Sequence, residues 1–286
     1  MEEGGELISL RAGDNFQSDG NSYEVQSQIG EPGGFGAAFL VVEQSQDGLV
    51  RELVAKAPND PGNQNIVSSF KTEYRVLKEL ESLGVPNIVR AVCLADFVGN
   101  PSFPVLVMER AESMTLKEAT SSKPLSYEDA SDVLSKLAAA MTGVHKAGYM
   151  HLDIKPENII ISRAGGLYLC DFDTAQTIPD KPIKFEKKSG TPFYMPPEVT
   201  NGWKFDHRAD IYAFAVTIYE LLTGVKPFEG QTQKAMLANQ LNARYRIRKM
   251  REFNSNIPIG VEQLVHKCLD FVPEKRPTNM TVIVRA

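Results

Sequence analysis

His151-Leu152-Asp153-Ile154-Lys155-Pro156-Glu157-Asn158 is the stretch on which the reading of this chain turns. It follows an Ala-rich helical pattern over Tyr127–His145, and Pro156 forces an irregular loop there. Asp153 and Asn158 stand five residues apart, and Asp171 follows thirteen later in Leu169-Cys170-Asp171-Phe172-Asp173. Between them, Ile159-Ile160-Ile161 and Leu167–Cys170 read as a small hairpin turning at Ala164-Gly165-Gly166. Such a hairpin brings Asn158 and Asp171 together as hard oxygen donors of the kind magnesium takes. Asp153 is then left as a base. The plain alternative is a set of solvated loop acids, against which the joint agreement of the spacings speaks.

Working outward, Gly30-Glu31-Pro32-Gly33-Gly34-Phe35-Gly36 lies between two strand-like runs. Glycines let backbone N–H groups approach phosphates and permit a tight reversal, although Gly-rich hairpins are common without any ligand. No Gly-Lys-Ser/Thr follows, and a strand rather than a helix comes next, so neither a Walker loop nor a dinucleotide fingerprint is present. Val54-Ala55-Lys56 puts a lysine inside an apolar strand. A helix over Ser68–Leu83 follows, with Phe70, Tyr74, Leu77 and Leu80 at helical spacing and Glu73 as a counter-charge for that lysine. A held ammonium of this kind resembles a phosphate clamp.

Taken together, these runs resemble the eukaryotic-type Ser/Thr protein kinases over Tyr23–Arg285. The family's motifs occur in order: the Gly-rich loop, a Val-Ala-x-Lys strand, a helix glutamate, His-x-Asp-x-Lys-x-x-Asn, Asp-Phe-x and Gly-Thr-Pro-x-Tyr-Met-x-Pro-Glu at Gly190–Glu198. Asp210 in an apolar helix and Arg276 complete the set, and the resemblance implies an ion pair between Arg276 and Glu198. It also implies ATP and Mg²⁺ as cofactors and a protein substrate with a Ser/Thr acceptor. By position, Lys56 would hold the α/β-phosphates and Glu73 would orient it. Asp153 would take the acceptor proton, Lys155 would lie near the γ-phosphate, and Asn158 and Asp171 would hold the metal. The nucleotide would lie against Gly30, Gly33, Gly34, Phe35, Gly36, Ala38, Ala55 and Ile160, with Met108 as gatekeeper and Glu109–Ala111 as hinge. Leu77, His151 and Phe172 would stack as a spine. Glu157 and Glu220 occupy places where some members read basic substrate residues.

Departures from the pattern bear on regulation. Two residues, Glu31 and Pro32, separate the first two glycines, and Ala38 replaces the usual Val. Asp173 replaces a Gly, Pro196 replaces an Ala, and Leu152 replaces the Arg that usually grips an activation-segment phosphate. The segment still holds Thr174, Thr177, Ser189 and Thr191, with Lys181, Lys184, Lys187 and Lys188 as local cations. The expectation is a kinase competent without phosphorylation, controlled by a regulatory partner or another domain. A pseudokinase and a small-molecule kinase are the rival readings, disfavoured by the complete polar set and by Gly190–Glu198 respectively.

The expected fold is α+β and bilobal. An extension over 1–22, carrying an apolar patch at Leu7-Ile8 and room for one marginal strand, precedes a β-rich N-lobe with one main helix over 23–108. A larger, mainly helical C-lobe follows over 109–286. The 286 residues carry a net charge of −5 and 42% hydrophobic residues, ordinary values for a globular chain and poor ones for generic nucleic-acid binding. Cys93, Cys170 and Cys268 are scattered, so neither a disulfide framework nor a zinc site is suggested. The longest apolar run, Ile211–Leu222, is interrupted by Glu220 and falls short of the ~18 residues of a membrane span. A cytoplasmic setting is the natural expectation. A basic run over Lys234–Arg251, with six basic residues and no acidic one, reads as a solvated face or as a docking surface for an acidic partner.

Overall fold

Period-two alternation drives the first part of the chain into strands. In a computed structural model, which describes residues 10–99, 101–111, 113–184 and 190–284, the strands β1 (Asn15–Ser18), β2 (Asn21–Ile29), β3 (Gly36–Gln44) and β4 (Val50–Pro58) are joined by short turns. After helix α1 (Gln64–Ser82) come β5 (Ala91–Phe97) and β6 (Phe103–Glu109). These six strands form one antiparallel sheet in the order β1-β2-β3-β4-β6-β5. Its core gathers Phe16, Tyr23, Val25, Phe39, Val41, Leu53, Val105 and Val107 from one face. β6, apolar at nearly every position, is buried on both faces. The readings placed on Leu7 and Ile8, on Lys187, Lys188 and Ser189, and on Arg285 lie outside the described residues.

The sheet begins before Tyr23. Residues read as an extension supply β1 and the buried Leu10 and Phe16. Phe16 stacks on Tyr23 with ring centroids 5.0 Å apart. Across the core, the Tyr23 hydroxyl donates to Glu43 at 2.9 Å and accepts from the Cys93 thiol at 3.5 Å. Burial alone would raise the Glu43 carboxyl, but donors from Arg51, Tyr23 and Asn21 outweigh it and leave its pKa lowered. The turn Asp19-Gly20 was invisible as a hairpin because its flanks are polar on the exposed side.

The second unit is built on helices. It contains β7 (Ser113–Thr115), α2 (Leu116–Ala119), α3 (Tyr127–Lys146), β8 (Tyr149–Met150), a 3-10 turn at Pro156–Asn158, β9 (Ile159–Ser162) and β10 (Leu167–Leu169). Then follow β11 (Gln176–Thr177), α4 (Pro197–Thr200), α5 (Arg208–Thr223), α6 (Gln233–Gln240), α7 (Ile259–Cys268) and α8 (Thr281–Val284). α5 is buried almost all round and stops at Gly224, whose φ of +75° needs a residue without Cβ. The start of α3 differs in detail from a capping box. The Ser126 hydroxyl accepts from the Asp129 N–H, as expected, but Asp129 accepts from the Ser126 hydroxyl instead of its backbone. Aspartate is one methylene too short for the return bond. The full box occurs at α2, between Thr115 and Glu118. Glu198 and Arg276 form the expected buried ion pair, bidentate at 2.6 and 2.8 Å.

The division of the chain also differs from expectation. The first unit comprises Met1–Ser82 and Val89–Ala111, and the second takes Leu83–Ile88 and Glu112–Ala286. The boundary therefore falls after Ala111, not after Met108. Leu83–Ile88 leaves the first unit because its polar groups bond in the second: the Asn87 amide donates to Lys136 O at 2.9 Å and Leu169 N to Asn87 O at 2.8 Å. Among the described residues, no helix is long and apolar enough to cross a membrane.

If β1 is part of the core, Phe16→Ala leaves a cavity beneath Tyr23. Large-to-small changes of this kind cost ~3–5 kcal/mol. A urea titration should show a loss of about 3 kcal/mol or more; a change under ~0.5 kcal/mol would mean the strand is peripheral.

Candidate active site

In the first unit, β4 is the element that aims the lysine. Lys56 lies opposite Ala38 on β3 and Leu106 on β6. Its ammonium donates to Glu73 of α1 at 2.9 Å and lies 5.6 Å from the Phe70 ring centroid. Glu73 is fully buried, so the pair is shielded from solvent. The expected Lys56–Glu73 partnership is present.

The placement of Ala55 is a correction. Side chains alternate along a strand, so Ala55, next to Lys56, belongs to the opposite face. It lies opposite Phe39 and Val107, fully buried in the sheet core. It therefore cannot line a nucleotide site on Lys56's face. The residue two before Lys56 is Val54, opposite Leu40 and Met108. The sequence has Val-Ala-Lys where the motif needs Ala-x-Lys, and period-two counting from the lysine would have found it. Ala38 and Met108 do share that face.

The Gly-rich connection is pinned from β4's end. Gly33 N donates to Gly36 O at 2.8 Å, and the Asn59 amide donates to Gly33 O at 3.0 Å and Gly34 O at 3.1 Å. Gly30 has φ +64°, where a Cβ is strained but meets no neighbour, whereas a Cβ at Gly36 would lie 2.4 Å from Ala57 O, so Gly36 does not tolerate a side chain. The added residue between the first two glycines is taken up in the exposed Glu31-Pro32 bend. Glu109 and Ala111 end the unit, and Glu109 N donates to Arg90 O at 2.9 Å.

In the second unit, the loop after β8 gathers around one buried carboxylate. Asp210 accepts from His151 N at 2.9 Å, from Leu152 N at 2.8 Å and from His145 Nε2 at 2.8 Å. Burial alone would raise this carboxyl, but the hydrogen bonds and charges of His145 and His151 outweigh it and hold it below its usual range. The same bonds fix Leu152 in a left-handed conformation, φ +68°. His151 packs edge-on against Phe172, 4.5 Å between centroids, and Leu77, the third residue expected in that stack, is buried on α1 of the first unit.

Asp153, one residue on, has both oxygens engaged. Oδ2 accepts from Lys155 at 2.6 Å and from the Asn158 amide at 3.0 Å; Oδ1 accepts from Thr191 N and its hydroxyl, each at 2.8 Å. Lys155 also donates to the Thr191 hydroxyl at 2.7 Å. The expected hairpin is β9–β10, and Cys170 N donates to Asn158 O at 3.0 Å. That bond brings Asp171, also left-handed at φ +68°, alongside Asn158. The Asn158 NH₂ donates twice to Asp153, to its backbone O at 2.9 Å and to Oδ2, which orients the amide so that Oδ1 remains as a donor for a cation. Asn158 Oδ1 and the Asp171 carboxylate are hard oxygens, a set that fits Mg²⁺. Ile160 lies on β9. Cys170 donates its thiol to Asn158 O, and the other two thiols are buried.

Two groups were missed as site residues by reading the sequence. Thr191 reads from the sequence as part of a motif, as a mark of Ser/Thr specificity and as a modification candidate, but not as the residue that clasps the Asp153 carboxylate. Lys117 and Lys226 were not singled out at all, although both bind Glu220, at 3.1 and 2.7 Å.

The family model for the protein kinase domain matches residues 23–285. The serine/threonine-protein kinase PrkC of Bacillus subtilis is 30% identical over 86% of this chain and 37% of its own length. Serine/threonine-protein kinase pkn2 of Myxococcus xanthus is 30% identical over 94% of this chain and 32% of its own length. A probable serine/threonine-protein kinase of Clostridium perfringens is 30% identical over 91% of this chain and 36% of its own. The chain thus spans about a third of the length of these relatives.

The Asp210 contacts predict an acid response. Its folded pKa lies below the unfolded value of ~3.9, so its contribution is full above that value and fades as pH falls through the folded one. Asp210→Asn keeps one acceptor and loses the charge. It should be less stable than wild type by about 1–3 kcal/mol at neutral pH. In urea titrations the gap should narrow from about pH 5 downward; a constant gap would show that folding does not lower the Asp210 pKa.

Proposed function

Because the chain belongs to the protein kinase family, we propose that it is a Ser/Thr protein kinase, transferring the γ-phosphoryl group of ATP to a Ser/Thr hydroxyl of a protein substrate. The observation that carries this reading is the Asp153 constellation: a buried carboxylate held by Lys155, Asn158 and Thr191, with Asp171 tied in through Cys170. The curated relatives carry the same activity in their names.

In this reading the acceptor oxygen forms a bond to the γ-phosphorus, the bond from phosphorus to the ADP oxygen breaks, and Asp153 takes the acceptor proton. The carboxylate has about four acceptor positions, which Lys155, the Asn158 amide, Thr191 N and the Thr191 hydroxyl match. The Thr191 hydroxyl is the neutral donor whose rotor can turn away, and an acceptor hydroxyl takes its position on Oδ1. Lys155 then meets charge developing on the transferring group, and Lys56, oriented by Glu73, holds the α/β-phosphates. Asn158 and Asp171 would hold Mg²⁺, which supplies neutralisation of phosphate charge. The adenine-facing residues are Ala38, Val54, Met108 and Ile160, with the Gly30–Gly36 backbone over the phosphates and Glu109 and Ala111 as hinge. We assign the reaction to the cytoplasm, in keeping with the scattered placement of Cys93, Cys170 and Cys268, which suggests no disulfide framework.

The activation segment supports competence without phosphorylation. Leu152, in the place of a phosphate-gripping Arg, packs with Ile178 and Val199 on Met150, Phe205 and Ala209. Ile183 pairs with Phe205 through two backbone bonds, 3.1 and 2.9 Å. Of the candidate hydroxyls, Thr174 is buried on His151 O and Thr191 is bound to Asp153. Control then falls to a regulatory partner or further domain.

Lys56→Met should keep the fold and lower kcat by ~10²-fold or more; near-wild-type turnover would sink the assignment. Asp171→Asn should weaken Mg²⁺-dependent ATP binding, whereas Asp153→Asn should leave binding nearly unchanged and remove turnover. Equal loss of ATP affinity in both would overturn the division of roles. Phosphatase-treated and autophosphorylated protein should give initial rates within a few-fold of each other on one peptide. A rise of about tenfold, ~1.4 kcal/mol in the barrier, abolished by Ala at Thr177 and Ser189, would show the segment to be a switch.

A further inference from the structure

Beside the base lies a cluster whose charges cancel. Glu220 of α5 accepts from Lys117 at 3.1 Å through one oxygen, and from Lys226 at 2.7 Å and Tyr194 at 2.5 Å through the other. The Lys226 ammonium also donates to the Tyr194 hydroxyl at 2.8 Å and lies 4.4 Å from its ring centroid. Burial, then the charges of Glu220, Glu157 and Asp153, push the Tyr194 hydroxyl up, so it stays neutral. Burial alone would lower Lys117, but Glu220 and then Glu157 outweigh it and raise it. The group is therefore two carboxylates, Glu157 and Glu220, against two ammoniums, Lys117 and Lys226.

Its distance from the chemistry follows from the chain. Tyr194 is three residues beyond Thr191, which touches the Asp153 carboxylate, so the two Cα atoms are at most ~10 Å apart. Glu157 is one residue before Asn158, which also bonds Asp153. An extended peptide advances ~3.3 Å per residue, so the cluster lies within reach of residues up to about three positions from a bound acceptor. The Tyr194 backbone cannot drift, since the Gln240 amide donates to Phe193 O at 3.2 Å and to Met195 O at 2.7 Å. Lys117 is equally well placed: it sits on α2, held by the Thr115–Glu118 box and the buried Leu116.

We propose that Lys117 and Lys226 are specificity-determining residues which neutralise the acidic pair Glu157–Glu220, so that this enzyme does not select substrates with a basic residue flanking the acceptor. The proposal rests on the kinase reading above. A substrate Arg reaching Glu220 would have to displace the half-exposed Lys117, exchanging one ion pair for another in a screened setting where such pairs contribute little. Lys226, less exposed and doubly bonded, offsets one of the two acidic charges and Lys117 offsets the other, so removing either lysine leaves the pair one negative charge in excess. Exposed Glu157 and the largely buried Glu220 alone would suggest an acidic subsite; the two lysines, 103 and 6 residues from Glu220, cancel it.

The test compares wild type, Lys117→Ala and Lys226→Met on one parent peptide and its variants carrying Arg at each of three positions on either side of the acceptor. kcat/KM and peptide binding by fluorescence anisotropy are both read. Wild type should discriminate Arg from Ala by less than about threefold at every position, and each variant by about tenfold or more in favour of Arg at one shared position. Lys117→Ala, being at the surface, keeps the test sound if Lys226→Met fails to fold. A wild-type preference above tenfold for Arg overturns the proposal, as does an unaltered profile in Lys117→Ala. Loss of turnover on every peptide would refute the kinase reading instead, and the anisotropy ratios would still decide the subsite; no binding of any peptide by any of the proteins overturns it.

Discussion

Asp210 is the constraint on which the second unit depends. A carboxylate without solvent needs donors or it takes up a proton, and the donors it finds are the amides of His151 and Leu152 and the His145 ring. Those amides can point at one atom group only if Leu152 adopts φ +68°, a conformation that costs a residue with a Cβ roughly 1–2 kcal/mol. The charge on α5 thus holds the backbone strain of the loop, and that strained loop presents Asp153 one residue later. α5 is buried almost all round, which makes it a rigid base for this purpose.

From there, order passes outward through Asp153. Its carboxylate ties Lys155 and Asn158 of its own loop to Thr191, on the far side of the activation segment. Gly190 is needed next to that contact because any Cβ there would lie 2.8 Å from Leu152 O. Leu152 therefore meets the segment at two places: its carbonyl against Gly190, and its side chain in the apolar cluster with Ile178 and Val199. Apolar packing of this sort does not depend on a covalent modification.

Local signals in the sequence were legible where a short run of residues sets its own geometry. The Asp153–Asn158 loop, the β9–β10 hairpin, α1 and α3 could be read from spacing alone, and Glu198–Arg276 from the motif resemblance. Features set by distant partners could not. β1 is short and polar on one side, and only stacking of Phe16 on Tyr23 makes it part of the core. Leu83–Ile88 leaves the first unit through Asn87's bonds to residues far along the chain. Lys117 is paired with Glu220 across 103 residues, with no local pattern to mark it. The misplacement of Ala55 was different: the information was present, and strand alternation from Lys56 would have assigned Val54.

That alternation has a consequence for shape. On the face shared by Lys56, the family motif pairs a branched residue on β3 with alanine two before the lysine. Here the sizes are exchanged, with Ala38 on β3 and Val54 on β4. Two methyl groups have moved to a diagonal position on the neighbouring strand, because Ala38 lies opposite Lys56 and Val54 opposite Leu40, so the apolar bulk of that surface is preserved while its contour is displaced by a diagonal cross-strand spacing of ~7–8 Å. A flat ring system shaped to the usual contour would meet a hollow on one strand and a ridge on the next.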